Sequence, residues 1–253
     1  MIKVLLIIFL VLLLLIGGDR GVVSLISIAG NLITFFIMIW LMAAGFNPFI
    51  VTFAGCLLVN SITLLYQNGK NIKTKSAFIS VGIIMALLLF IVIFFSTNMH
   101  IEGLNEIEMV SEMSLYYSLI TGVNMHSVSI CMILIGLLGA VMDTAVSVSS
   151  GLYEVSSSKE CTSKELFNSG MTIGKDILST TVNTLYFAYI GEALMLLIYL
   201  KEYNYNFISI LNSKAFLTDF TCIIFSMIGC LLIIPVTSYI CSKLFLIEKE
   251  PQE

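Results

Sequence analysis

Asp143, Ser147, Ser150 and Glu154 recur at i, i+4, i+7 and i+11. At ~100° per residue of an α-helix the four fall within about 60° of one another, on one face. Asp176, Ser179, Thr180 and Asn183 share a face in the same way. Carboxylate, amide and hydroxyl oxygens suit a hard cation or a proton relay, and do not suit zinc or copper. Both sets lie in or beside long apolar runs, where each polar group is expensive and needs a partner.

The elements that must position these groups follow from composition. Of the 253 residues, 58% are apolar and 11% charged, and the mean hydropathy is +1.04. A soluble domain carries ~25% charged residues, so too few charges are present here to coat a water-soluble body. The expected solvent is the lipid bilayer, and the expected fold is all-α, a polytopic helical membrane protein forming one domain over 1–253. Continuous apolar runs place about seven transmembrane helices at 2–16, 22–44, 49–66, 77–96, 126–149, 177–199 and 220–241. Strands of a β-barrel would alternate instead. The first run has Lys3 ahead of it like a signal peptide, but Gly17-Gly18-Asp19-Arg20 lacks a small-residue cleavage pattern, so a retained helix is expected.

Charge in the connecting segments gives an orientation. Lys70, Lys73 and Lys75 follow the third run, Lys159, Lys164 and Lys175 lie between the fifth and sixth, and Lys243 and Lys249 stand in the tail. The segment with Glu102, Glu106, Glu108 and Glu112 has no basic residue. Lysine-rich segments and the C-terminus are therefore expected in the cytoplasm, the acidic one outside. Trp40, Tyr66, Tyr116, Tyr117, Tyr199 and Tyr203 stand at run ends as interfacial anchors. Pro235 is expected to kink the last span, and 159–167 reads as a short solvated helix.

Asp143 is a carboxylate well inside an apolar run, and Asp176 stands at the threshold of the next. Antiparallel spans would bring Asp143 and Asn183 to the same depth, ~10 Å below the surface at ~1.5 Å per residue. Gly136 and Gly139 continue the Asp143 face and would let another backbone approach. The opposite face, Ile133, Leu137, Val141 and Val148, is expected to meet lipid. Weaker polar stripes run through Ser24, Ser27, Asn31 and Thr34, and through Thr52, Asn60 and Thr63; all four stripes together would enclose one polar core. Ordinary structural roles stand beside these readings: serine and threonine bond the carbonyl four residues back, asparagine joins helices, and Asp176 caps a helix.

Other chemistries find little support. A single Arg and a net charge of −4 exclude a nucleic-acid partner. Gly170 to Asp176 imitates a P-loop but is one residue short and ends in Asp, so no nucleotide site is read. Six scattered cysteines form no CxxC pair. His100 and His126 are isolated at the outer boundary. Two membrane aspartates suggest an intramembrane protease, but Ile173-Gly174-Lys175-Asp176 lacks the Gly-x-Gly-Asp pattern. No cofactor is expected, and no enzyme activity.

The strings Gly136-Leu137-Leu138-Gly139-Ala140-Val141-Met142-Asp143-Thr144-Ala145-Val146-Ser147-Val148 and Gly170-Met171-Thr172-Ile173-Gly174-Lys175-Asp176-Ile177-Leu178-Ser179-Thr180-Thr181-Val182-Asn183-Thr184-Leu185 resemble signatures of the YibE/F-like family of bacterial multi-transmembrane proteins. Shorter echoes stand at Gly18-Asp19-Arg20-Gly21, Gly45-Phe46-Asn47-Pro48 and Gly103-Leu104-Asn105, in the family's order. In length the chain resembles the shorter, YibF-like members. Lys175 replaces the usual Arg, Ser179 the usual Gly, and Glu192 a small residue. The resemblance implies a bacterial cell membrane location and a longer YibE-like paralogue as partner; it supplies no activity. Residue chemistry and resemblance together lead to an expected transport or channel-like component, with Asp143, Ser147, Asp176, Thr180 and Asn183 around a cation or proton. The rival expectations are a non-transporting subunit whose polar faces join it to the paralogue or to a second copy, and an intramembrane hydrolase.

Overall fold

The computed structural model describes residues 1–99, 125–159, 161–202 and 205–247, and no strand occurs among them. The acidic segment with Glu102 to Glu112, together with His100, Tyr116, Tyr117 and Tyr203 and the side chains of His126, Glu192 and Tyr199, lies outside the described residues. The elements are α1 (Ile2–Ala43), α2 (Pro48–Asn60) continuing into a π-helical turn (Ser61–Gln67), α3 (Ile72–Met99), α4 (Met125–Ser158), α5 (Ser163–Glu202), the short α6 (Phe207–Leu211) and α7 (Lys214–Ile247). An all-helical membrane architecture is what the apolar runs demand, because only helices satisfy their own backbone groups in hydrocarbon without a closed barrel.

Among the described residues five helices are long and apolar enough to cross a membrane, so the expected count of seven is not confirmed. Two places account for the difference. The first two apolar runs are two helical segments joined at a sharp kink at Gly18, whose φ of 51° and ψ of −133° are not helical, and α1 takes in both, so they count once among the five. Gly21 is buried there against the Leu13 carbonyl, and a Cβ would collide with it. The sixth run lies in α5, where the side chains at 192, 195, 199 and 200 lie outside the described residues.

The α1–α2 connection explains the Gly45-Phe46-Asn47-Pro48 string. Gly45 takes φ 90° just beyond α1, where its N–H bonds the Met42 carbonyl and that of Phe46 bonds the Leu41 carbonyl. This pair of bonds satisfies helix-end carbonyls in a Schellman turn, which favours glycine. Asn47 then caps α2, its Oδ1 accepting the Phe49 N–H at 3.0 Å, with Pro48 at the first helical position.

The expected long segment between the fifth and sixth runs is almost entirely helical. α4 extends to Ser158 and α5 begins at Ser163. With 34 and 40 residues, these helices are roughly 51 and 60 Å long at ~1.5 Å per residue, well beyond the ~30 Å hydrocarbon core. The stretch 163–167, expected in a separate short helix, is the first turn of α5. Thr162 and Glu165 start it reciprocally: Glu165 Oε2 accepts the Thr162 N–H at 2.9 Å and hydroxyl at 3.0 Å, while Glu165 N–H donates to Thr162 Oγ1 at 3.4 Å.

The core lies between α3, α4, α5 and α7, with α7 packed on the other three. Glycines set the closest approaches. A Cβ on Gly170 would meet Ser238 and Leu152 and one on Gly174 would overlap Ile234, so these i, i+4 glycines seat α5 on α7. Gly229 of α7 similarly receives Val141 and Leu88. α7 runs unbroken through Pro235.

Candidate functional site

The strongest correction concerns which way α4 faces. Ile133, Leu137, Val141 and Val148, expected against lipid, are each 1% exposed or less and belong to the core. Asp143 and Ser147 are exposed, and Ser150 is partly so. Hydrophobic periodicity locates two faces of a helix but does not say which one meets lipid, since both lipid and protein interior are apolar. α4 buries its apolar face because α3 and α7 supply complementary apolar surfaces there.

The register of α4 on α5 follows from two contacts. A Cβ on Gly151 would stand 3.2 Å from Ile173 Cγ2, and one on Gly136 3.7 Å from the Tyr189 hydroxyl. In this antiparallel arrangement Asp143 comes about level with Thr181 and Val182, within a turn of Thr180 and Asn183. The sides agree as well as the depths. On α5, Gly174 meets α7, and the ~100° helical step places Asp176, Thr180 and Asn183 on the other side of the Ile173 contact. On α4, Val141 meets α7, while Asp143 and Ser147 flank the Gly136–Gly151 line on the opposite side. Both polar faces therefore border one outward groove along the α4–α5 seam.

Within that groove Asp176, Thr180 and Asn183 are all exposed. Thr180 bonds the Ile177 carbonyl at 2.9 Å and Thr184 bonds that of Thr180 at 2.9 Å, the local back-bonding expected of helical hydroxyls. Asp143 makes no hydrogen bond or ion pair with any described residue, and no bond links the α4 set to the α5 set. The two packing glycines differ: Gly136 lies against Cys222 and Tyr189, whereas a Cβ on Gly139 would meet nothing within 4 Å. Among the described residues no three His, Cys, Asp or Glu side chains converge as a metal site.

The weaker stripes do meet directly. Asn31 donates to Thr63 Oγ1 at 3.1 Å and Gln67 to Ser24 Oγ at 2.8 Å, tying α1 to the π-helical turn. Asn60 Nδ2 donates to the Phe78 carbonyl at 3.2 Å, and its Oδ1 is buried with no hydrogen-bond partner among the described residues, as is Ser27 Oγ. A π-turn widens the helix by one residue per ladder bond and is often found at functional positions. These stripes form a seam between α1 and α2, separate from the α4–α5 groove rather than one enclosed core with it.

Sequence reasoning missed a third polar cluster. Ser149 Oγ donates to the Lys73 carbonyl at 2.6 Å and lies 3.0 Å from Ser76 Oγ, to which the Cys241 thiol donates at 3.2 Å. This node joins α3, α4 and α7 inside the core. Its members read as ordinary serines and a cysteine in apolar runs; only small size at a crossing point distinguishes them. The Gly170–Gly174 spacing was the more legible missed signal.

Toward the lysine-bearing end the α4 stripe leads into a cavity of about 350 Å³. Its walls are Arg20 and Ser24 of α1, Gln67 of the π-turn, Asn68, Asn71, Lys73 and Thr74 at the start of α3, and Val146 and Ser150 of α4. Polar groups dominate its lining, and none is acidic.

Comparison with known proteins agrees with the motifs. No curated protein and no solved structure matches the chain. A family model, YibE/F-like protein, matches residues 5–246, nearly the whole length. With both long signature strings placed on the facing helices α4 and α5, the chain belongs to the YibE/F-like family.

Proposed function

We propose that this chain is a membrane subunit of a transport assembly in the bacterial cytoplasmic membrane, with its C-terminus in the cytoplasm. Asp143 is the central carboxylate of a cation- or proton-binding site, and Ser147, Asp176, Thr180 and Asn183 supply further oxygens along the same groove. The observation that carries this reading is the open α4–α5 groove, in which a carboxylate with no hydrogen-bond or ion-pair partner among the described residues stands mid-helix. A charged residue at the centre of a membrane helix costs about 2.5–3.5 kcal/mol on insertion scales. Such a group needs water, a cation or a covering subunit. A second subunit, the longer paralogue or another copy, would roof the groove into a pathway. In this reading the chain moves its ligand without covalent chemistry and without an organic cofactor.

Reconstituted vesicles test it. Imposed proton, sodium, potassium and magnesium gradients should drive flux through the wild type, alone or with the paralogue, and Asp143→Asn should reduce it by about tenfold or more, as expected for a site's only central charge. Absence of flux under every gradient, in both compositions, rejects transport.

The open space at Gly139 favours a second reading, in which the groove is an adhesive surface for a non-transporting complex. Then Asp143→Asn and Gly139→Leu should abolish co-purification with the partner, and the wild-type complex should pass no ion.

A further inference from the structure

We propose that the cavity between α1, the π-turn, α3 and α4 binds a phosphate-bearing anion. Arg20 and Lys73 both line it, and neither has a carboxylate partner among the described residues. Arg20, Asn71 and Ser150 also have side-chain donors that no described residue uses. Ser24 accepts from Gln67, which leaves its own hydroxyl proton free to donate. No carboxylate lines the cavity to compete for these donors.

The backbone adds to the side chains. The cavity includes the first turn of α3, a helix of 28 residues. The N–H groups of Ile72, Lys73 and Thr74 have no acceptor among the described residues, while Asn71 N–H is already taken by Thr74 Oγ1 at 3.0 Å. Free first-turn amides and the helix dipole favour negative charge. A guanidinium beside them offers the forked geometry that phosphate oxygens accept in pairs. The turn is held in place from behind, because the Lys73 carbonyl accepts from both Ser149 and Ser76 in the core node. A volume near 350 Å³ exceeds what inorganic phosphate needs and leaves room for a small substituent such as a glycerol.

Lys73 also borders a second cavity of about 330 Å³ with Lys70, Lys75 and Tyr153, and its ammonium lies 5.8 Å from the Tyr153 ring centroid. Two cations therefore line the site, two more line the neighbouring cavity that shares Lys73, and neither lining holds an acidic residue. The same phosphate chemistry is presented by an anionic lipid headgroup and by a soluble phosphate. This site is separate from the Asp143 groove, and its test reads binding rather than flux, so the two proposals fail independently.

The experiment uses the full chain purified in phosphate-free buffer, with thermal unfolding in detergent for inorganic phosphate and native mass spectrometry from nanodiscs for phosphatidylglycerol against phosphatidylcholine. At least one phosphate probe should bind the wild type. Arg20→Gln should weaken that binding by about tenfold, the loss of one charge-assisted pair, and Asn71→Ala should weaken it severalfold. Lys164→Gln, on the exposed first turn of α5, should leave it unchanged. Retention of phosphatidylglycerol with no response to free phosphate assigns a lipid headgroup; the reverse assigns a soluble phosphate. No binding of either probe, equal binding by wild type, Arg20→Gln and Asn71→Ala, or the same stabilisation by chloride at matched ionic strength overturns the proposal. Should Arg20→Gln not fold, Asn71→Ala carries the decision.

Discussion

Val141 and Asp143 stand two residues apart on α4 and face opposite worlds: Val141 is wholly buried against Gly229 of α7, and Asp143 is exposed on the groove beside α5. Two residues turn a helix by ~200°, so burying the one exposes the other. The orientation makes Asp143 available to a ligand or a partner and removes it from the packing of its own chain.

Asp143→Asn should therefore leave the fold nearly untouched. A substitution without packing or hydrogen-bond partners changes stability by no more than about 0.5 kcal/mol. Thermal unfolding in detergent should overlay wild type and variant, while flux or co-purification falls. A large drop in unfolding temperature would place Asp143 in an internal contact and remove it from the site.

Glycine substitutions should divide sharply by position. Gly174→Ala forces a methyl group into Ile234, and Gly170→Ala forces one into Ser238 and Leu152. Overpacking of this kind costs about 1–3 kcal/mol. Gly139→Ala meets open space and should be neutral for the isolated chain. Unfolding temperatures of the three variants check the ranking, and equal values would show that α5 and α7 are not seated as described.

The Asn31–Thr63 bond is expected to contribute modestly. A double-mutant cycle with Asn31→Leu and Thr63→Val should return a coupling of about 0.6 kcal/mol, typical of hydrogen bonds between membrane helices. A coupling near zero would mean that α1 and the π-turn part in the bilayer.

The start of α5 should be sensitive to acid. Bonds from the Thr162 N–H and then its hydroxyl, with the Lys159 charge assisting, hold the Glu165 carboxyl below its ordinary value of 4.5. A depressed folded value stabilises the helix start above the ordinary value and loses that effect as pH falls through the folded one. Amide protection at Ser163, Lys164, Glu165 and Leu166 should thus hold near neutrality and decline in acid below 4.5. Glu165→Gln should abolish the pH dependence, and Thr162→Ala should weaken the helix start by about 1 kcal/mol at neutral pH.

The α4–α5 groove was half legible. Oxygen-bearing residues at helical spacing marked Asp143, Ser147, Asp176, Thr180 and Asn183 as candidates, and equal distances along antiparallel helices put them at similar depths. Their exposure was not legible, because the spacing of polar and apolar residues tells which face is outermost only when the surroundings are water. The weak stripes met as drawn at Asn31 and Thr63, where amide and hydroxyl complement each other across a helix pair. Ser76, Ser149 and Cys241 gave no warning, since three small polar residues far apart in sequence become a node only when α3, α4 and α7 cross.

By itself the sequence determined the solvent, the helical class and the family. Charge scarcity and continuous apolar runs leave hydrocarbon as the only compatible surroundings, and a backbone in hydrocarbon must bond to itself. The tertiary structure decided which face each helix buries, how the first two runs join at Gly18, and where loop ends and helix begins between Ser158 and Ser163. Those outcomes depend on close approaches such as Gly174 to Ile234. No single helix carries that information, because in lipid it is the fit between surfaces, and not their polarity alone, that selects a neighbour.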